Sequence, residues 1–344
     1  MFKKILAVLL CFSLLTVVGC KKENNQSEVS EPQEILSEVS SVVPQPVYYV
    51  NPLTGVKNLS EEVSKQVPVA IMINNINLAQ GVQAGVGAAD IVYETEVERG
   101  ITRLMAVYQD IASVGRIGTI RSARYVYVDL ALGHKAIYLH HGQDETYCRP
   151  HLKDIKHYTV DTNNCGKRIS NGKSREHTLY TDGKGVYNSF VKGNKIDNPT
   201  QWQNFAEGET QVTLDGGTAT KINVPFSSSY VTGFTYDAAT GKYTRLFCEN
   251  VLKDYITGKA TEVKNVFILK TTIYNYSDNY HRNVKLQGGE GYYCVNGTYT
   301  KIKWTKGSGT SAFKFANADG SPLTVNPGNS WVCIANSSSN ISIN

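Results

Sequence analysis

The sequence predicts an α+β fold: an N-terminal α/β domain with a mixed sheet over residues 47–215, then a mostly β domain over 216–344. Three observations predict it. In the first half, apolar strand-length runs are separated by one helix-length stretch. After "TLDGGTATK" the texture changes to short β-type runs split by turn signals. The chain carries 21 tyrosines against 10 phenylalanines, a composition suited to half-wet strands. Its 344 residues suit two domains better than one.

Residues 1–19 stand outside that fold. "MFKK" is a basic start, and "ILAVLLCFSLLTVV" is an apolar core of signal-peptide length, too short and wrongly flanked for a membrane span. It ends in "VVGC", which resembles the lipobox of bacterial lipoproteins. That resemblance implies cleavage before Cys20 and diacylation at its thiol, with palmitate-type chains. Cys20 would then hold the protein on the extracytoplasmic face of the cell membrane, each buried methylene contributing about 0.8 kcal/mol. Residues 20–46 continue as a Ser/Glu/Pro/Gln-rich segment without aromatics before Tyr48. Such a composition buries too little apolar surface to order itself and reads as a tether.

In the first domain, "VPVAIMINN" (67–75) is an apolar strand, and Ile91–Val97 and "ITRLMAVYQD" (101–110) are two more, turned at Gly100. A Gly-rich crossing, "VGRIGTI", leads into "RSARYVYVDLALG", a helix that Ser122 can cap and Gly133 can close. "KAIYLHH" (135–141) is the next strand, and "DETYCRPHLKDI" is a short helix interrupted by Pro150. Residues 160–215 read as irregular. In the second domain, "DAATGKY", "VNGTYT" and "NADGSPL" are turn signals, the Asn-Gly pair favouring a type I′ hairpin.

Charge separates the halves. Residues 47–215 carry 18 basic and 18 acidic side chains; residues 216–344 carry 13 and 7. Eight of the ten arginines lie in the first half, whereas eleven of the second half's bases are lysines. Lysine is a hydrated point charge and arginine a planar fork for carboxylate or phosphate. The second half is therefore expected to favour a diffuse anionic surface, such as teichoic acid or lipid headgroups, and the first a shaped anion site. Beyond the signal and the anchor there are five cysteines, an odd number with no CxxC pair. Neither a complete disulfide framework nor a structural zinc site is supported; whether Cys148 and Cys165 pair is open.

The chemistry-bearing residues concentrate in "IGTIRSAR" (117–124). Arg121, Ser122 and Arg124 fall at the start of the expected helix, where free N–H groups favour anions. Arg103 comes from the neighbouring strand, Arg116 from the preceding loop and His140 from the end of the next strand, where α/β sheets tend to place ligands. These six residues form the candidate ligand site. The competing reading is internal: Glu94, Glu96 and Glu98 of "ETEVERG" neutralise the same guanidiniums as structural ion pairs. Glu94 and Glu96, two apart on a strand, are also the candidate catalytic carboxylates of a wall hydrolase or transferase. Ser122 lacks the GxSxG turn of a hydrolase nucleophile. His140, His141, Asp144 and Glu145, with His151, His157 and His177, match no metal-site spacing, and adjacent strand residues point to opposite faces. No metal, cofactor or nucleic-acid partner is expected.

The ordered strings "NPLTG", "PVAIMINN", "ADIVYETEVERGITRLMAVYQD", "IGTIRSAR", "HHG" and "EHTLY", then "FTYDAATGKYTR", "NVFIL", "GEGYYCVNGTYTKIKWTK" and "NPGNSWVCI", resemble the YerB-like lipoproteins of Gram-positive bacteria. The resemblance covers roughly residues 47–335. It implies a two-domain extracytoplasmic lipoprotein and supplies no activity, the family being one of unknown function. After "HHG" this chain has Gln143-Asp144-Glu145 where family members carry an aromatic or serine, so no role carries over to that position. The function expected is a non-enzymatic, membrane-tethered binding or scaffolding protein of the cell envelope. Its partners would be the bilayer through Cys20 and an anionic wall polymer or an envelope protein; the alternative is the wall-directed enzyme.

Overall fold

A computed structural model describes residues 46–344 apart from 209–210. The signal segment, Cys20 and most of the tether lie outside the described residues.

A ten-stranded mixed sheet runs through the molecule. In spatial order its strands are Lys314–Asn317, Thr298–Thr305, Gly288–Val295, Asn265–Thr271, Ser330–Asn336, Ile91–Glu98, Ile101–Tyr108, Val69–Asn74, Ile137–His140 and His157–Thr159. Five come from each half of the sequence. The join is parallel: Ser330–Asn336 pairs with Asn265–Thr271 on one side and with Ile91–Glu98 on the other. The fold class is as the sequence predicts, an N-terminal mixed-sheet part with a helix and a C-terminal part nearly all β. The expectation that 47–215 and 216–344 pack as separate units is corrected, because a second-half strand lies at the centre of the shared sheet.

Both faces of this sheet are covered over its central strands. Alternate residues such as Ile71, Val92, Leu104 and Trp331 pack against a second sheet, in which Lys221–Ser227, Tyr230–Asp237 and Lys242–Phe247 form the centre. The other set, Met72, Tyr93, Met105 and Val332, packs under the helix Tyr125–Gly133 and against Trp202 and Phe313. Central strands covered on both faces read as continuous apolar runs. Accordingly "SWVCIA" is buried at every position, where simple alternation would leave every second residue wet.

Local chemistry explains the joints. Gly100 adopts φ +80 where the acidic strand turns back into Ile101–Tyr108, and a side chain there would strike Ser227. Asn296 and Gly297 both have positive φ, 52 and 73, at the predicted type I′ hairpin. The helix begins at Tyr125 with Arg124 as its N-cap and no side-chain cap bond, so Ser122 does not cap it. The predicted short helix at Pro150 is a 3-10 segment, Arg149–Asp154, with the proline in its first turn. All five described cysteines are free thiols, and Cys148, Cys294 and Cys333 are buried.

Candidate functional site

The acidic strand Ile91–Glu98 organises the predicted residues, but differently from the sequence expectation. Glu94 is completely buried between the two sheets. Its Oε1 accepts from Asn75 Nδ2 at 2.9 Å, Thr102 Oγ1 at 2.9 Å and Thr232 Oγ1 at 2.9 Å, and its Oε2 accepts from Trp331 Nε1 at 3.1 Å. Its charge partner is Arg245, from the second half, whose Nη2 lies 3.4 Å away, also with no exposure. The Arg245 guanidinium rests 4.6 Å from the centre of the Trp331 ring, which compensates part of its desolvation. Burial lowers the Arg245 pKa, and Glu94 opposes that shift.

Glu96 pairs with Arg282, again from the second half, with Nε donating to Oε2 at 3.0 Å. Burial raises the Glu96 pKa, partly offset by Arg282. A register shift between Glu96 and Glu98 breaks the strand's alternation. Glu98 thereby meets Arg103 and Arg124: both Nε and Nη2 of Arg124 engage Oε1, and Arg103 Nη2 lies 3.6 Å from Oε2. The three glutamates are thus each paired with arginine, and two of the arginines are ones that local sequence did not offer. Glu94 is sealed from solvent, and the two carboxylates serve different guanidiniums, so they do not share one site; Glu96 lines a separate cleft with Arg99 and Arg282.

The six ligand-site candidates do not converge on one open cleft. Arg103 is 4 % exposed and donates from Nη1 to the Ser122 carbonyl at 2.9 Å. Its pKa falls to about 10, chiefly through burial and then through neighbouring Arg124. Arg124 is held by Glu98. His140 is fully buried between the Gly142 carbonyl at 2.8 Å and His157 Nδ1 at 3.0 Å, and burial depresses its pKa to about 4. It is therefore a neutral ring at ordinary pH and attracts no anion. Arg116 stands on a separate small sheet beside Leu179–Asp182 and lines a different cleft with Gly85 and Asp254. Ser122 lies beside Gly142, where an added Cβ would sit 3.2 Å from its Oγ. Arg121 keeps partial exposure, and its Nη2 donates to Glu176 Oε2 at 2.6 Å.

That pair is the weak member of the network, because Glu176 is half exposed. Surface pairs contribute about 0–1 kcal/mol. Arg121→Ala is therefore expected to lower the melting temperature by no more than about 3 °C. A larger loss, measured by calorimetry, would move Arg121 into the class of buried fold-holding arginines.

The histidines divide among local partners: His141 Nδ1 meets the Val160 carbonyl at 2.8 Å, His177 Nδ1 meets Asn74 at 2.9 Å, and His151 stacks on Tyr125. Asp144 uses Oδ1 to accept from the backbone N–H of Cys148 at 3.0 Å.

A different feature stays open to solvent. The face of Gly288–Val295 and Thr298–Thr305 forms a groove of about 220 Å³ lined by Lys270, Lys301, Lys303, Tyr292 and Glu290. Strand register brings these together: Tyr292 lies opposite Ile268 and Lys301, and Glu290 lies opposite Lys303. Three lysines and one glutamate line the groove, the Lys303 ammonium donating to the Ala318 carbonyl at 2.8 Å. The spacing of Lys301 and Lys303 in "TYTKIKWT" was visible in the sequence as a period-two polar face. The contribution of Lys270 was not, since it arrives from another strand.

The architecture and its network define a class: a mixed-sheet α+β protein in which two sequence blocks are welded by buried Arg–Glu pairs. The chain belongs to the DUF3048 family, proteins of unknown function. The N-terminal domain model of that family matches residues 53–196 and its C-terminal domain model residues 222–332. The chain is similar to "Putative lipoprotein YerB" of Bacillus subtilis strain 168, 25% identical over 332 residues, covering 94% of this chain and 93% of that protein. It is also similar to the crystal structure of YerB protein from Bacillus subtilis, with a TM-score of 0.72 and 25% identity over 86% of this chain and 99% of that one. Among the described residues no helix is long and apolar enough to cross a membrane.

Proposed function

We propose that this protein is a lipid-tethered, extracytoplasmic binding protein of the cell envelope. It is held by acylated Cys20 and engages an anionic wall polymer through the groove of Lys270, Lys301 and Lys303. The single observation that supports this reading is the groove itself, where three of the second half's thirteen bases and one of its seven acids line an open sheet face. Ammoniums on flexible stems suit a repeating phosphate chain, which needs charge more than shape. The buried arginines support a non-catalytic role for the conspicuous acids, since those carboxylates are occupied in holding the fold.

Co-sedimentation with purified cell walls tests the reading. Walls carrying teichoic acid are expected to retain the protein at low salt and release it as salt screens the contact. The triple variant Lys270→Gln, Lys301→Gln, Lys303→Gln is expected to lose roughly ten-fold in affinity, about 1.4 kcal/mol. Equal retention by acid-stripped walls, or by the triple variant, would refute it. In cells, Cys20→Ala is expected to leave the membrane fraction or remain unprocessed; a correctly cleaved, membrane-retained Cys20→Ala protein would refute the anchor.

A further inference from the structure

We infer that a second cleft, sharing no lining residue with the lysine groove, binds a short pyranose oligosaccharide. It has a volume of about 390 Å³ and is walled by Tyr125, Asp129, Tyr274, Asn283, Lys285 and Lys306. Three elements build it. Tyr125 and Asp129 are four apart on the helix Tyr125–Gly133 and project to one side. Tyr274 and Asn283 are directly paired across the ribbon of Ile273–Asn275 and Arg282–Val284, so their side chains share a face. Lys306 follows the Thr298–Thr305 strand.

The rings are held rather than loose. Tyr125 is backed by His151 at a centroid distance of 4.1 Å. Lys285 Nζ lies 5.8 Å from the centre of the Tyr274 ring, and Tyr274 is nonetheless 44% exposed. Beside them, Tyr276 stacks on Tyr147 at 3.9 Å and 12°. Lys306 is a charged side chain that is 2% exposed, donating to the carbonyls of Gly309 at 2.8 Å and Ser308 at 3.4 Å. An ammonium has three donors, so one N–H remains beyond those two bonds. Asp129 on the facing helix acts on Lys306 as its opposite charge, so the cleft sets a cation and an anion in its walls.

The chemistry of the walls selects the ligand. A pyranose ring presents C–H groups on its faces and hydroxyls around its rim. The two tyrosines supply apolar contact for the first, being rigid and amphipathic. A carboxylate that accepts, an ammonium that donates and an amide that does both take the second. A polyphosphate chain would meet the Asp129 carboxylate and gain nothing from the rings. A peptide would be expected to pair with an edge of the two-stranded ribbon and leave the helix side of the cleft unused.

Titration of the mature protein with chitotetraose and with cellotetraose, followed by calorimetry and by tyrosine ring signals in NMR, is the test. Saturable binding of at least one oligosaccharide is expected. Tyr274→Ala should weaken it by about ten-fold or more without changing the melting temperature, because that ring is exposed. Lys306→Met should also weaken binding. The lysine-groove triple variant should bind the oligosaccharide normally, which separates this site from the wall-polymer reading. No saturation by either oligosaccharide up to about 10 mM, unchanged affinity in a folded Tyr274→Ala, or equal binding of a tetra-alanine peptide would each overturn the inference.

Discussion

Arg245→Met is expected to destabilise the protein by about 3–5 kcal/mol, more than any other single arginine substitution here. Both members of the Arg245–Glu94 pair have no solvent exposure. Removing the guanidinium leaves a carboxylate between two sheets with neutral donors alone, from Asn75, Thr102, Thr232 and Trp331. Those bonds soften the penalty but do not cancel a buried charge. The loss should appear as a fall in melting temperature on the order of 10 °C for a unit of this size. The double variant Glu94→Leu/Arg245→Met should recover most of it, because a buried pair replaced by packed apolar groups is close to neutral. A single-variant loss below about 1 kcal/mol would show that the pair is not what the fold depends on.

Glu98→Gln should have the next largest effect, about 3 kcal/mol. One carboxylate serves two guanidiniums, and the side chains of Arg103 and Arg124 are 5% and 16% exposed. Neutralising it leaves two neighbouring cations at the start of the helix, which is where the helix dipole also disfavours them. Adding Arg124→Met should restore part of the stability by removing the mutual repulsion. If Glu98→Gln melts with wild type, the Glu98 cluster is a surface-type network and the energetic weight lies elsewhere.

These pairs show how far the sequence could be read. Strands such as Val69–Asn74 and Ile101–Tyr108 were legible because their apolar runs are long and punctuated. The hairpin at Asn296-Gly297 was legible because two consecutive positive φ angles leave few residue choices. That arginines would neutralise "ETEVERG" was also legible; which ones was not. Arg245 and Arg282 lie more than 150 residues from their partners, and no local pattern encodes that pairing. The bulge that diverts Glu98 toward the helix is likewise silent in the sequence. "SWVCIA" did carry a signal, an unbroken apolar run that marks a strand buried on both faces; its place between the two halves was not legible, since Val69–Asn74 and Ile91–Glu98 are equally buried. The aromatic cleft was hidden for the same reason as the arginine partners, since its walls come from distant segments.

The central position of Ser330–Asn336 has a consequence for how the molecule comes into being. A chain emerging from its N-terminus presents Ile91–Glu98 and Asn265–Thr271 long before the strand that belongs between them exists. Until Ser330–Asn336 arrives, both neighbours are open edges of apolar sheet, and Glu94 lacks Trp331 as a donor. The nascent protein is therefore a vise without its centre plate. The arrival of Ser330–Asn336 turns two exposed strand edges into one continuous sheet, so the step that joins the halves waits for a strand made after both of its neighbours.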